Sequence, residues 1–349
     1  NGGTFTGGKV AIQDVSKKTN APEAFVKVKA GHFSNSNIDV LDYIDSDSNI
    51  TVSLTNSVTL SKHVTIPQGS KVTVDLGGNT VSKDTMLFDV YGTLELKNGT
   101  VNMPATEGSG CAIWLNKTAN LIVDSDATLS TNEASSNFAV GFYSDCTTAA
   151  LTLKGKIVGA NGVTINGNIK DNGNIINVND GADIDVSGTG LYLAGVGETT
   201  LSRTSINGST AVEIRAGKLT VNDGTYTSVA DEFKCEANGN GTTTDGAALA
   251  IAQHTTQKDI DVTINGGTFK GPKALNESNP QKNDAPKIAL VDNDGIFNGE
   301  VTTEDCSKFI NAGSFSLKPD KNYIADGKNV YLKNDKNYYV AAEAEAPAH

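Results

Sequence analysis

Seven short phrases in this chain each set two aliphatic or aromatic residues one position apart. They are Ile113/Leu115, Val140/Phe142, Val163/Ile165, Leu191/Leu193, Val212/Ile214, Leu249/Ile251 and Ile288/Leu290. Period-two alternation sends both members of a pair to one side of a strand, and that side must be buried. A second apolar strand follows most of the phrases: Leu121-Ile122-Val123, Leu151-Thr152-Leu153, Ile176-Asn177-Val178, Leu219-Thr220-Val221 and Val262-Thr263-Ile264. An Asn/Asp/Gly turn and a third, shorter strand come next, as in Asn222-Asp223-Gly224-Thr225-Tyr226 and Asn265-Gly266-Gly267-Thr268-Phe269. Asn and Gly suit such turns because they tolerate positive φ. Three strands per repeat, at spacings of roughly twenty to forty residues, describe the coils of a solenoid with loops of variable length. The expected fold class is therefore all-β: a right-handed parallel β-helix with three strands per coil and a cap at each end. A meander of antiparallel hairpins would need more nearly equal strand spacing and an even apolar pattern.

This reading divides the chain into an N-terminal cap or preceding repeat (1–48), the β-helix (49–315), a C-terminal cap (316–340) and an Ala/Glu/Pro-rich disordered tail (341–349). Ala24-Phe25-Val26-Lys27-Val28 and Asn37-Ile38-Asp39-Val40-Leu41 read as strands or a small cap over the first coil, because an open solenoid end is an unpaired sheet edge. Tyr323, Tyr331, Tyr338 and Tyr339 mark the closing cap. Two polar stretches, Asp231 to Asp245 and Gly271 to Pro286, lengthen their coils and are expected to loop outward. The opening Asn1-Gly2-Gly3-Thr4-Phe5 recurs inside the chain, as expected for a piece of something longer.

Composition agrees with a narrow solenoid. Of 349 residues 36 are Gly, and hydrophobic and aromatic contents of 38% and 6% are low for a thick globular core. A net charge of −12 argues against nucleic acid or an anionic membrane as partner, since no basic patch is available to release counterions. No apolar run approaches the length of a membrane span and no signal-like segment opens the chain, so a soluble protein without membrane insertion is expected. The four cysteines, Cys111, Cys146, Cys235 and Cys306, form no CxxC and read as small packing residues. Pairing of Cys111 with Cys146 on adjacent coils is compatible with export.

The run from Val58 to Val81, containing Val72-Thr73-Val74-Asp75-Leu76-Gly77-Gly78-Asn79, resembles the opening coils of parallel β-helix repeats in cell-surface proteins of Gram-positive, often gut-dwelling bacteria, built on the pectate-lyase-like scaffold. Gly266-Gly267-Thr268-Phe269, Gly313-Ser314-Phe315-Ser316 and Tyr323-Ile324-Ala325-Asp326-Gly327 resemble the closing signature of the same proteins. The resemblance is one of scaffold. It implies secretion or surface display, adhesion or glycan contact, and a monomeric module within a larger chain.

The same scaffold carries polysaccharide lyases and glycoside hydrolases, so chemistry is tested residue by residue. Uronate lyases need a cation for the substrate carboxylate, commonly calcium on clustered carboxylates, and a base. Arg203 and Arg215 are the only arginines. Hydrolysis needs carboxylates clustered around one glycosidic bond. The outward positions at the centre of the first strand are Trp114, Gly141, Thr164, Tyr192, Glu213, Ala250 and Ala289, with a single carboxylate among them, and Gly-His-Gly is absent. Asp45-Ser46-Asp47-Ser48, Asp124-Ser125-Asp126 and Asp292-Asn293-Asp294-Gly295 are weak metal phrases. Placing Gly295 sixth in an EF-hand loop puts Leu290 first and Val301 twelfth, where carboxylates are needed. No cofactor is expected, with a structural calcium in a loop as the one open alternative. His32, His63, His254 and His349 are dispersed, and sequons such as Asn98-Gly99-Thr100 follow from turn composition.

The alternation that names the core also names the outside. Trp114, Tyr143 and Tyr192 are expected on one outer face with Asn116, Thr164, Asn166, Glu213 and Arg215 among them. With about 4.8 Å per coil, the group would cover roughly 15 Å along the axis. Aromatic rings flanked by amides and hydroxyls suit stacking on sugars, so these eight residues are the candidate ligand-binding set, for a polysaccharide, a host glycan or a host surface protein. The competing arrangement is an exterior aromatic ladder or a face covered by a loop. The expected function is a non-catalytic adhesin or glycan-binding module. A β-helix lyase or hydrolase and a purely structural stalk are the alternatives.

Overall fold

The computed structural model describes residues 4–6, 27–170, 173–238, 241–253, 255–279, 282, 287–333 and 336–342. The expected strand at Ala24-Phe25-Val26, most of the tail, His254 and His349, and parts of the two polar stretches lie outside the described residues. The chain forms two compact units, Asn1–Ala160 and Asn161–His349. Both are built from the coils of a parallel β-helix. Short 3-10 turns at Asp39–Tyr43 and Lys321–Tyr323 are the only helical segments among the described residues, and no helix among them is long and apolar enough to cross a membrane.

In the first unit three parallel ladders run side by side. The first joins Val64–Ile66, Phe88–Val90, Cys111–Leu115 and Phe138–Phe142, so that Ile113 lies between Phe88 and Val140 and Leu115 between Val90 and Phe142. The second carries Val72, Leu94, Leu121 and Leu151 in register. The third carries Val81, Val101, Leu129 and Ile157. All of these side chains are buried. Burying each aliphatic side chain contributes roughly 1.5–3 kcal/mol, and a one-residue slip would turn a whole strand's set to water. The parallel pairing begins ahead of residue 49, with Ala30–Asn35 against Asn49–Leu54 and Phe5 opposite Phe33.

The cysteines of this unit are free thiols. Cys111 opens its strand opposite Phe138, whereas Cys146 lies beyond the end of the partner strand, where its Sγ donates to the Leu115 carbonyl at 3.0 Å. The register therefore keeps them at opposite ends of the strand pair, out of bridging range. Burial pushes the Cys146 thiol up to about 12.

The second unit repeats the plan. Its first ladder aligns Val163, Leu191, Val212, Leu249 and Leu275, and beside them Ile165, Leu193, Ile214, Ile251 and Glu277. Two sequence expectations are corrected here. Ile288/Leu290 pairs with Ile260 and Val262 and so belongs to the second ladder, and Ala289 is not in the Trp114-type position of a first strand. The stretch from Gly271, expected as a loop, instead continues the strand Thr268–Ser278, whose distal half supplies the missing first-ladder rung. An irregular register around Gly271 and Pro272 conceals it, as does Glu277 at an inward position.

The third ladder of this unit changes from aliphatic to aromatic. Ile184 and Ile206 give way to Tyr226, Phe269, Phe297 and Phe315, stacked at 5.0, 5.2 and 5.0 Å between ring centres and within 22° of parallel. These are the aromatic residues of the Gly-Thr-Tyr, Gly-Thr-Phe, Gly-Ile-Phe and Gly-Ser-Phe phrases. Strand spacing brings the rings into face contact, which contributes about 0.5–1.5 kcal/mol per pair beyond burial. Beside them an amide chain runs from Asn311 to Asn293, Asn265, Asn222 and Ser202, each Nδ2 donating to the next side chain at 2.9–3.3 Å. The end is closed by Lys328–Leu332 and Tyr338–Ala342, which pair antiparallel with each other, the latter also with Gly313–Phe315.

Candidate functional site

In the first unit, Trp114 projects away from the core between Ile113 and Leu115, in register with Asp89 on one side and Gly141 on the other. Gly141 makes room for the indole: a Cβ there would lie 2.6 Å from Trp114 Cζ3 and 2.4 Å from Cys111 Sγ. Tyr143 stands edge-on to the indole, with ring centres 5.6 Å apart and planes at 89°, and is 48% exposed. Tyr91, half-buried, lies under Lys117, whose Nζ is 5.8 Å from the ring centre. Burial pushes the Tyr91 hydroxyl up, and the neighbouring Asp89 and Asp145 carboxylates add to the shift.

Polar contacts fix this floor. Asn116 Nδ2 donates to Asp89 Oδ1 at 2.8 Å and to the Val90 carbonyl at 3.3 Å, which leaves Asn116 buried rather than presented to a ligand as expected. The Lys117 backbone N–H donates to Asp145 Oδ1 at 3.2 Å. The result is three aromatic rings with two carboxylates among them. Such carboxylates accept from hydroxyl donors while the rings cover apolar C–H faces. Asp89 and Tyr91 escape the sequence reading because Phe88/Val90 is not among the seven phrases, and the alternation in Leu87-Phe88-Asp89-Val90-Tyr91 is the signal that reveals them. Asp145 lies in the turn after Val140/Phe142, outside any alternating strand.

The corresponding positions in the second unit behave differently. Thr164, Tyr192, Glu213, Ala250 and Asn276 form one outward row. Glu213 and Arg215 were expected on the open face, yet they are 2% and 1% exposed. Arg215 Nε and Nη2 donate to Glu213 Oε1 at 2.9 and 2.7 Å, and the guanidinium lies 4.8 Å from the centre of the Tyr192 ring. Burial raises the Glu213 carboxyl, and Arg215 opposes the shift. What covers them is an antiparallel hairpin, Lys234–Asn238 with Gly241–Asp245, inside the polar stretch expected to loop outward. Thr244 Oγ1 donates to Glu213 Oε1 at 3.1 Å, and Thr210 Oγ1 donates to the Thr244 carbonyl at 2.6 Å. Lys273 reaches over Phe233 at the hairpin's base, with its Nζ 5.5 Å from the ring centre. Thr164, Asn166 and Tyr192 are half-buried, and Asn166 Oδ1 accepts the Asn168 backbone N–H at 2.9 Å.

No group of three or more His, Cys, Asp or Glu side chains able to hold a metal occurs among the described residues. Lys29 pairs with Asp45 and Asp47 at 2.7 and 3.2 Å, and Lys154 with Asp124 at 2.9 Å. Asp292 points into the core, where Oδ1 accepts the Gly295 N–H at 2.9 Å and burial drives the carboxyl well above its ordinary range. Glu277 is likewise interior and receives the N–H groups of Glu304 and Asp305 at 2.9 and 2.8 Å. Compared with protein-family models, with characterised proteins and with solved structures, the chain finds no match.

Proposed function

We propose that the first unit carries the binding site of a non-catalytic glycan-binding or adhesin module displayed at a cell surface or secreted. The observation behind this reading is Trp114 seated over Gly141 with Tyr143 edge-on beside it and exposed. A pyranose ring laid on these aromatics buries its C–H face, while its hydroxyls reach Asp89 and Asp145. Neutral sugars suit the site better than acidic ones, because an anionic sugar would meet two carboxylates and only Lys117 to offset them. Each stacking contact contributes on the order of 1 kcal/mol, so one module binds weakly and strong adhesion needs several copies.

A glycan array with the intact chain, followed by titration of the best neutral oligosaccharide, tests the reading. Replacing Trp114 and Tyr143 with Ala should weaken binding about tenfold or more with the melting temperature nearly unchanged, since neither ring fills the core. Undiminished binding by the double variant would move the site elsewhere and favour the structural stalk.

A further inference from the structure

A cleft of about 720 Å³ opens in the second unit where the first strands of its coils turn into the second, well within the volume range of ligand sites. Four lysines line it: Lys170, Lys218, Lys258 and Lys287. Among the described residues Lys29, Lys62, Lys154, Lys234, Lys273 and Lys308 hold carboxylates in ion pairs, and none of the four cleft lysines does. Three of them are exposed and Lys258 is half-buried. The lining sets these four ammonium groups against the carboxylates of Glu198, Asp259 and Asp261, a small positive excess in a chain of net charge −12.

The rest of the lining narrows the ligand. Glu198 and Asp261 flank Lys218 in the second ladder, one coil to either side, and Asp259 Oδ1 accepts the Lys287 backbone N–H at 3.0 Å. Val196, Ile260 and Ala289 supply apolar surface. Inorganic phosphate or a nucleic acid backbone offers no hydroxyl-rich face to meet Glu198 and Asp261. An acidic sugar offers anionic groups for the lysines, hydroxyl donors for the carboxylates and C–H faces for the apolar residues. We infer that this cleft is a second glycan site, distinct in residues and in ligand class from the aromatic one, which takes a carboxylated or sulfated sugar. Along this row, Ile175, Glu198, Lys218, Asp261 and Ala289, Lys218 is the one lysine, and Lys170, Lys258 and Lys287 stand in the segments that lead into the second strands.

Native gel electrophoresis of the whole chain at low ionic strength tests this, with polygalacturonate, dextran sulfate, neutral dextran or poly-L-glutamate cast in the gel. Retardation is expected with polygalacturonate or dextran sulfate and not with dextran, and whichever polymer acts identifies the acidic group. It should weaken at least about tenfold in K218Q/K287Q and fade as salt shortens the Debye length to ~10 Å at 0.1 M. W114A/Y143A should be retarded like the parent, which separates this inference from the aromatic reading. No retardation by either acidic glycan, equal retardation of K170Q/K218Q/K258Q/K287Q, or equal retardation by poly-L-glutamate would overturn it.

Discussion

Trp114 in the first unit and Glu213 in the second hold the same place in a coil: the middle of a first strand, between Ile113 and Leu115 in one case and Val212 and Ile214 in the other. Both point away from the core. Trp114 meets Gly141 and an exposed tyrosine, while Glu213 is sealed with Arg215 beneath a hairpin. The difference comes from the segments that link one strand to the next. Residues 132–137 lead from the third strand ending at Thr131 to the next first strand at Phe138, whereas residues 229–246 separate Ser228 from the first strand that begins at Ala247. Alternation thus determines which way a side chain points, and insertions determine whether water reaches it. Buried charge is distributed in the same sense: the buried carboxylates and guanidinium, Glu213, Arg215, Glu277 and Asp292, all lie in the second unit among the described residues.

The largest effect should come from breaking the sealed pair. Arg215→Met leaves Glu213 buried with only Thr244 as a partner and is expected to lower stability by about 3–5 kcal/mol in urea unfolding. Adding Glu213→Leu should recover most of the loss, because an apolar pair needs no desolvated charge. A loss below about 1 kcal/mol for Arg215→Met would mean that the hairpin does not exclude water and that the two faces are alike.

A smaller effect is expected on the open face. Gly141→Ala puts a methyl within 2.6 Å of the indole and 2.4 Å of Cys111 Sγ, so Trp114 must swing off the strand. Overpacking of this kind costs about 1–3 kcal/mol, and sugar affinity should fall with it. Full affinity at an unchanged melting temperature would show that the glycine is not what seats the ring.

The smallest effect concerns pH. Folding raises the Asp292 carboxyl well above the ordinary value of 3.8, chiefly through burial, so the folded state holds this proton more tightly than the unfolded one. Its contribution is fully present below pH 3.8 and is lost as pH rises through the folded value. Asp292→Asn keeps an acceptor for the Gly295 N–H and should flatten the decline in melting temperature between acid and neutral pH. Parallel pH curves for the two proteins would show that Asp292 titrates as it does in the unfolded chain.

How far the sequence discloses this architecture depends on which residues face inward. Six of the seven paired phrases lie in first-strand ladders because their inward positions are aliphatic or aromatic. Ile288/Leu290 has the same pattern and belongs to the second ladder, since periodicity specifies a face and not a neighbour. The coil between Ile176 and Leu219 hides its second strand in Glu198-Thr199-Thr200-Leu201, where a threonine takes the inward place opposite Ile176. Of the candidate site, Trp114 and Tyr143 come together as the alternation suggests. Glu213 and Arg215 do not remain accessible, because the hairpin over them depends on long-range contacts from Thr244 that leave no local pattern.

Trp114 is the only tryptophan in the chain, so its emission reports on the open face alone. Titrating the intact protein with a neutral oligosaccharide retained on the array, while following this emission, is the most direct test of the glycan-binding account. A saturable change is expected, with a midpoint that moves to about fivefold higher sugar in Tyr143→Ala, as the loss of about 1 kcal/mol of contact requires. An oligosaccharide that binds the protein while Trp114 emission stays constant and the Tyr143→Ala midpoint stays in place would contradict it.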